Sequence, residues 1–443
     1  MTHSSYQVLF HVNTYSHLGE IIMMKKSIFA VAVASALTLG AAQAETILYG
    51  SIRYDYESKK NEHAYDYHTG NGHWRVGFTG ERLSNLEDAG SRIGIKGSED
   101  LGNGNAVIYN LEWGFDGMAL NGKGGYETRK ALLGITGDWG TFAAGRQDNP
   151  FKVTIVDDSV QDDFNGSNVI SSASQRAMTT ALTGQQAAGY YNYYNANGDL
   201  VTVSNNPSDP NAPRYAAYGW HQNYDQTDSQ FSRVGKVIAY ITPEIAGFQA
   251  SAALMMDENL YGTNDEKNID LWTINARYAY DLGANGTILA KAGYINAKLA
   301  DTNKSKIWGL FLGYSQDAFS VTGSFAKGDH SSDSISLVPM NISSGAGYYT
   351  SFGKSKSQGW DLGASFSFGP NYFSTVRATY GESELKNNGN KDKVKSWAVG
   401  FEQKLSTRTR AWVEYGNEET TFSANHVDKR KDNVLSIGMR HDF

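Results

Sequence analysis

Two sets of charges stand out by sign and spacing. Arg53, Arg92 and Lys96 sit where apolar and polar residues alternate, and Arg129 and Arg146 begin or end neighbouring stretches of the same kind. Between residues 148 and 163 the chain carries Asp148, Asp157, Asp158, Asp162 and Asp163, with Lys152 as the cation among them. A cationic wall facing an acidic segment sets a transverse field across a narrow aqueous passage, and rings of charge select ions. The wetted face of an ordinary sheet carries such residues too, so the elements that hold them decide the matter. Other chemistry is thin. His63, His68, His73, His221, His330, His426 and His441 are scattered without a ligand spacing. No G-x-S-x-G, Walker A or H-E-x-x-H string occurs. Gly102 and Gly104 belong to a turn between strands, and Asn110 and Glu112 read as residues of a polar wall. No catalytic residue, metal site or cofactor is expected.

The elements that must position these charges are strands. The last twelve residues, DNVLSIGMRHDF, put Leu435, Ile437, Met439, His441 and Phe443 on one face and Ser436, Gly438, Arg440 and Asp442 on the other. The same period opens the chain after Ala44: Leu48, Gly50, Ile52, Tyr54 and Tyr56 share a face, opposite Tyr49, Ser51, Arg53 and Asp55. Ile93 and Ile95 oppose Arg92 and Lys96, and Val107, Tyr109, Leu111, Trp113 and Phe115 oppose Glu112. Alternation predicts sixteen strands: 45–57, 90–98, 105–116, 127–137 and 140–147, then eleven more from 231–242 to 432–443. Short connections (243–247, 283–286, 369–370) alternate with long ones (58–89, 329–356, 420–431). An even number of strands with short turns at one end and long loops at the other is the pattern of a transmembrane β-barrel, apolar outside and polar within. One conflict is visible: strict parity puts Arg146 with Phe142 and Ala144 on the lipid side, so a place inside requires a bulge or a turned strand end.

Composition agrees. Hydrophobic residues make 40% of the chain, mean hydropathy is −0.46, Gly (47) and Tyr (27) are abundant, Pro is scarce (7) and Cys is absent. Lys25 and Lys26, the apolar run 27–40 and Ala42-Gln43-Ala44 form a signal peptide over 23–44, cleaved after Ala44. Residues 1–22 do not fit a leader and read as a non-native upstream extension. Removing 1–44 takes away Lys25, Lys26 and Glu20, a net +1, and moves the charge from −7 to −8. Such an acidic chain is not a nucleic-acid binder.

Residues 89–113, AGSRIGIKGSEDLGNGNAVIYNLEW, resemble the Gram-negative general porins of the Neisseria type, in which such a hairpin follows the first strand and first long loop. Thr128-Arg129, Gly134 and TFAAGRQ (141–147) resemble the next hairpin, and ETILYGSI and RHDF resemble the family's two ends. The resemblance implies a sixteen-stranded antiparallel barrel over 45–443, and an outer-membrane channel through which ions and small hydrophilic solutes diffuse. It also implies a third loop at or in the pore, facing a basic cluster on the wall. Residues 148–230 occupy that loop's position at greater length than is usual, with 189–230 as an insertion. The expected constriction set is Arg53, Arg92, Lys96, Arg146, Asp157, Asp158, Asp162 and Asp163. Five aspartates against the wall favour a weak cation preference; if half of them are paired, the wall wins and anions are favoured. Also implied are a homotrimer, touching through Leu48, Ile52, Leu435 and Ile437, and a Phe443 signal read by the outer-membrane assembly machinery. A substrate-specific channel using the long loop and a surface adhesin are the alternatives.

Overall fold

The computed structural model describes residues 45–69, 74–119, 125–183, 190–191, 217–218, 232–256, 269, 271–298, 303–332, 337–342, 345–350, 354–387, 390–422 and 428–443. Segments 1–22 and 23–44, and nearly all of 189–230, lie outside them.

The chain forms one closed antiparallel sheet. Its strands are β1 (Glu45–Lys60), β2 (Arg82–Asp88 with Arg92–Gly102), β3 (Asn105–Gly114), β4 (Glu127–Gly137), β5 (Gly140–Asp148), β6 (Arg233–Ile241), β7 (Phe248–Met255) and β8 (Leu271–Asp281). They continue as β9 (Thr287–Lys298), β10 (Asn303–Gln316), β11 (Phe319–Ser332), β12 (Lys354–Phe368), β13 (Ser374–Asn387), β14 (Asn390–Lys404), β15 (Thr409–Thr421) and β16 (Arg430–Asp442). Both halves of β2 pair with β1, so they count as one interrupted strand and the barrel has sixteen. The interruption is local. Asp88 Oδ1 accepts from the N–H groups of Gly90 and Ser91, drawing the chain into a tight turn before it rejoins the same neighbour.

β1 and β16 close the barrel, in register from Ser51↔Asp442 to Lys60↔Asn433. At the seam's lower end Gly50 and Phe443 exchange two backbone hydrogen bonds of 3.1 Å. A Cβ on Gly50 would come within 2.5 Å of Phe443 Cζ, so the missing side chain makes the seat for the terminal ring.

The faces fall as the alternation predicts. Leu48, Ile52, Leu133, Leu312, Leu362, Ile437 and Met439 project outward and are exposed on the isolated barrel, where lipid covers them. On β12, Trp360 and Phe368 mark the two aromatic belts. Eight residues separate them, about 27 Å along the strand and less once it tilts, which matches the apolar band of a barrel.

Three features depart from the sequence expectation. Segment 58–89 is not all loop: it holds the upper half of β2 and a hairpin of His63–His68 with Trp74–Thr79. Segment 329–356 likewise holds a hairpin, Leu337–Ile342 with Gly345–Thr350. β10, β13 and β14 extend further toward the loop end than alternation predicts, from Asn303, to Asn387 and from Asn390.

Candidate functional site

The site is built by the segment after β5, which turns into the barrel. Asn149 starts it. Its Oδ1 accepts from Phe151 N at 3.0 Å, and Pro150 follows at the first helical position, so a short helix α1 (Pro150–Ile155) forms at once. Phe151 and Ile155 are fully buried against the inner faces of β8, β9 and β10. A Cβ on Gly309 of β10 would stand 2.4 Å from Ile155 Cγ2, so the wall is hollowed where the helix rests. Met255, Leu271, Ile295 and Ile307 complete an apolar core inside the lumen. Where these side chains meet the helix the wall is therefore apolar on both faces. Each large side chain buried here contributes about 1.5–3 kcal/mol.

The chain then follows the inner face from β9 to β15, held at its end by wall carboxylates. Asn165 and Gly166 donate their N–H groups to Glu414 of β15 at 2.9–3.0 Å. Asn165 Nδ2 donates to Glu402 of β14 at 2.8 Å. Arg377 of β13 bridges the two acids, at 3.1 Å from Glu402 and 3.2 Å from Glu414, and donates to the Asp163 carbonyl. The second helix, α2 (Ala173–Thr183), has a cap from the wall on which it rests: Asp361 of β12 accepts from Ala173 N (2.8 Å), Ser174 N (2.9 Å), Ser174 Oγ (2.7 Å) and Ser172 Oγ (2.9 Å). A Cβ on Gly359 would collide with the Ala173 carbonyl at 1.9 Å, so only glycine lets the helix start this close. Arg176 of α2 pairs with Glu418 at 2.7 Å.

The loop thus covers one side of the lumen and leaves the other open. What remains is a cavity of about 890 Å³ whose wall presents Arg53, Arg92, Arg129 and Arg233, and whose loop side presents Gln161, Asp162, Asn165 and Ser167. Arg129 Nε meets Glu112 at 2.6 Å, and Arg233 Nε lies 3.6 Å from Asp148. Arg53 Nε donates to Ser51 Oγ at 2.9 Å. Neither Arg53 nor Arg92 makes an ion pair with another described residue.

The loop carboxylates are mostly engaged. Asp148 meets Lys130 at 2.6 Å, Asp157 meets Lys152 at 2.5 Å, and Asp158 meets Lys291 of β9 at 3.1 Å. Burial alone would lower the Lys152 ammonium, but Asp157, Asp162 and Asp148 outweigh it and hold its pKa above the ordinary value, so it stays charged at neutral pH. Burial pushes the Asp158 carboxyl up, against the pull of Lys291. Asp162 and Asp163 are exposed in the lumen, Asp162 at 3.9 Å from Lys152.

A model of the Gram-negative porin family matches residues 30–423. The chain belongs to that family. Among curated relatives, this porin is 36% identical over 131 residues to the major outer membrane protein P.IB of Neisseria gonorrhoeae, covering 30% of this chain and 34% of the relative. It is 29% identical over 211 residues to P.IB of Neisseria meningitidis serogroup B, covering 47% and 57%. It therefore spans no more than about half the length of these relatives. Similar solved structures include an anion-selective porin from Comamonas acidovorans (TM-score 0.57, 18% identity, 90% of this chain and 100% of that one) and the trimer form of OmpT from Vibrio cholerae (TM-score 0.54, 13% identity, 91% and 100%). At these identities they show the fold.

Of the residues singled out from the porin's sequence, Arg53, Arg92 and Asp162 meet at the cavity. Asp157, Asp158 and Asp163 lie on the same loop beside it. Lys96 lies four residues from Arg92 toward the turn end, about 13 Å along the strand, with Nζ 5.3 Å from the centre of the Tyr49 ring. Arg146 keeps its outward parity: it is in register with Ala131, two positions from outward Leu133, and its Nε donates to the Thr128 carbonyl at 2.7 Å. Arg233 was missed because it begins its strand beside a bulge between Val234 and Val237, where parity gives no guide. Lys291, Arg377 and Glu414 were missed although each is an inward charge in mid-strand, a signal the alternation does carry.

Proposed function

We propose that this porin is a passive diffusion channel of the outer membrane for ions and small hydrophilic solutes, with a weak anion preference. The observation that carries this reading is the open cavity between the loop and four wall arginines. The sequence alone favoured cations on the count of five aspartates. The pairing of Asp148, Asp157 and Asp158 with lysines reverses that balance: of the loop aspartates at the cavity Asp162 is left, 3.9 Å from Lys152, against Arg53 and Arg92, which make no ion pair among the described residues. Over the ~8–10 Å that screening allows at physiological salt, unmatched charges at the narrowest section outweigh distant ones. Family membership favours a channel over an enzyme. The proposed biogenesis is export on the 23–44 leader, insertion guided by the C-terminal strand and Phe443, and assembly as a homotrimer through outward residues of β1 and β16 such as Leu48, Ile52, Leu435 and Ile437. A Vibrio cholerae neighbour solved in a trimer form supports the last step.

The test is planar-bilayer recording under a KCl gradient. Stepwise, non-saturating conductance with a reversal potential on the anion side is expected. A cation-side potential overturns the charge assignment. Conductance blocked saturably by one solute replaces this reading with a substrate-specific channel.

A further inference from the structure

The far end of α2 is held to the wall by hydroxyls and one imidazole. Ser357 of β12 donates to the Ala177 carbonyl at 2.6 Å, and one turn further on Ser305 of β10 donates to the Ala181 carbonyl at 2.7 Å. His330 of β11 is the register partner of Ser305. Its Nδ1 stands 2.9 Å from Ser305 Oγ and 3.2 Å from the Ala181 carbonyl. A Cβ on Gly328, two residues back on the same face, would meet Ala181 Cβ at 2.3 Å, so the helix sits directly on the strand here. His330, Ser305 and Ala181 are all buried. Ser355, the partner of His330 on β12, lies five residues beyond Trp360, about 16 Å along the strand, so the ring stands above the membrane band on the loop side.

The partners decide the tautomer. The Ala181 carbonyl can only accept, and Ser305 has given its proton to that carbonyl, so the neutral ring carries its hydrogen on Nδ1. Nε2 then holds the bare lone pair. It is sealed from water and has no hydrogen-bond partner among the described residues. A second proton would turn Nε2 into a cationic donor with nothing to accept it, and a buried unpaired charge costs far more than a buried lone pair. No described carboxylate is at hand to offset it. Lys304 and Lys306 of β10, Lys327 and Asp329 of β11, and Lys354 and Lys356 of β12 all have the opposite parity and leave the barrel. Arg176, the ionisable residue of α2, is turned to Glu418 at 2.7 Å. The carbonyl end of the helix favours an imidazolium. Burial outweighs that pull and lowers the His330 pKa below its ordinary value.

We propose that His330 is a proton-operated catch on α2. Neutral, it holds the last turn of the helix against the wall. Protonated, it releases that turn inward, since the wall stands on the other side, and the released turn obstructs the passage in acid. This regulation rests on reading the lumen as the conducting channel. The sign follows from linkage. The docked turn takes up the proton less readily than the released one, so docking is fully favoured above about pH 6.5 and weakens below it. The weakening is up to about tenfold per pH unit, until the docked ring itself is protonated.

The test is hydrogen exchange on the full-length protein in detergent micelles at pH 7.5 and pH 5.5. Residues 180–183 are read against residues 173–176, which Asp361 anchors at the other end of the helix, so the intrinsic pH dependence of exchange cancels in the ratio. In wild type the ratio is expected to rise roughly tenfold on acidification. In His330→Asn, whose amide keeps a donor for the Ala181 carbonyl but takes up no proton, it is expected to stay constant. His330→Gln serves in the same way if the Asn variant fails to fold. A wild-type ratio that does not rise, or an equal rise in a folded neutral variant, overturns the proposal. Planar-bilayer current from the same preparations is expected to break into short closures at pH 5.5 in wild type and not in the variant. Closures absent from wild type, or equal in both, overturn the proposal as well. Absence of conductance at either pH removes the channel reading instead, and the exchange ratio still judges the catch.

Discussion

Replacing Asp361 by alanine should loosen the lumenal loop without unfolding the barrel. This carboxylate is buried and accepts two backbone N–H groups from the first turn of α2 as well as the hydroxyls of Ser172 and Ser174. Its removal leaves Ala173 N and Ser174 N without partners in a space from which water is largely excluded. Each orphaned donor costs about 1–3 kcal/mol. The alternative estimate, loss of one helix cap, is ~1–2 kcal/mol. Taking about 3 kcal/mol for the pair, the population in which the start of α2 detaches rises roughly 100-fold, at 1.4 kcal/mol per factor of ten. Asp361→Asn keeps one acceptor oxygen and should fall near a third of that cost. The sheet does not depend on these bonds, because β12 stays paired along its whole length with β11 and β13. Hydrogen exchange at residues 173–176 should therefore accelerate by about two orders of magnitude, in proportion to the opening equilibrium. Single-channel records should show a noisier open level, while unheated electrophoretic mobility stays that of the folded protein. Exchange in Asp361→Ala equal to that of wild type would refute the latch. So would a change of mobility with no change of exchange.

Arg53→Glu/Arg92→Glu should move the reversal potential under a KCl gradient to the cation side, whereas Asp157→Asn should move it further to the anion side, because it uncovers the charge of Lys152. Deleting Phe443, or filling its seat with Gly50→Val, should lower the yield of assembled barrel several-fold by membrane fractionation, while those channels that form conduct normally. The raised Asp158 carboxyl means that the folded channel takes up its proton more readily than the unfolded chain, so acid neutralises it ahead of ordinary carboxylates and costs no stability through this group. Anion preference should accordingly rise as pH falls from 7.5 toward 4.5, and Asp158→Asn should show a smaller rise.

The barrel wall was legible because lipid and lumen impose a period of two on every strand. Leu48, Ile52, Ile437 and Met439 were placed outward from alternation alone and stand there. Legibility failed where a second solvent was replaced by protein. The inward Ala253 and Met255 of β7 are as apolar as outward Leu254, because α1 and α2 cover them, and the alternation blurs. It failed also at strand ends. Nothing local says whether Arg146 turns inward, and the structure settles that by register with Ala131. The charge balance of the constriction was not legible at all. It depends on which aspartates meet Lys152 and Lys291, and Lys291 is distant in sequence from the loop it neutralises.

The seam between β1 and β16 has a kinetic meaning. Ser436 donates to Asp55, a partner 381 positions earlier in the chain. Every other neighbour of a barrel strand is reached sooner. The entropy of so long a closure is modest, since each doubling of loop length adds only about 0.6 kcal/mol. The larger burden is what stays open meanwhile. Until the final strand arrives, β1 and β15 each present a row of unpaired N–H and C=O groups, a template for a foreign strand and an expense of several kcal/mol per group in hydrocarbon. A stalled chain therefore has no stable halfway form in the bilayer. Insertion and closure must occur nearly together, and the step that joins Gly50 to Phe443 is the one that commits the molecule.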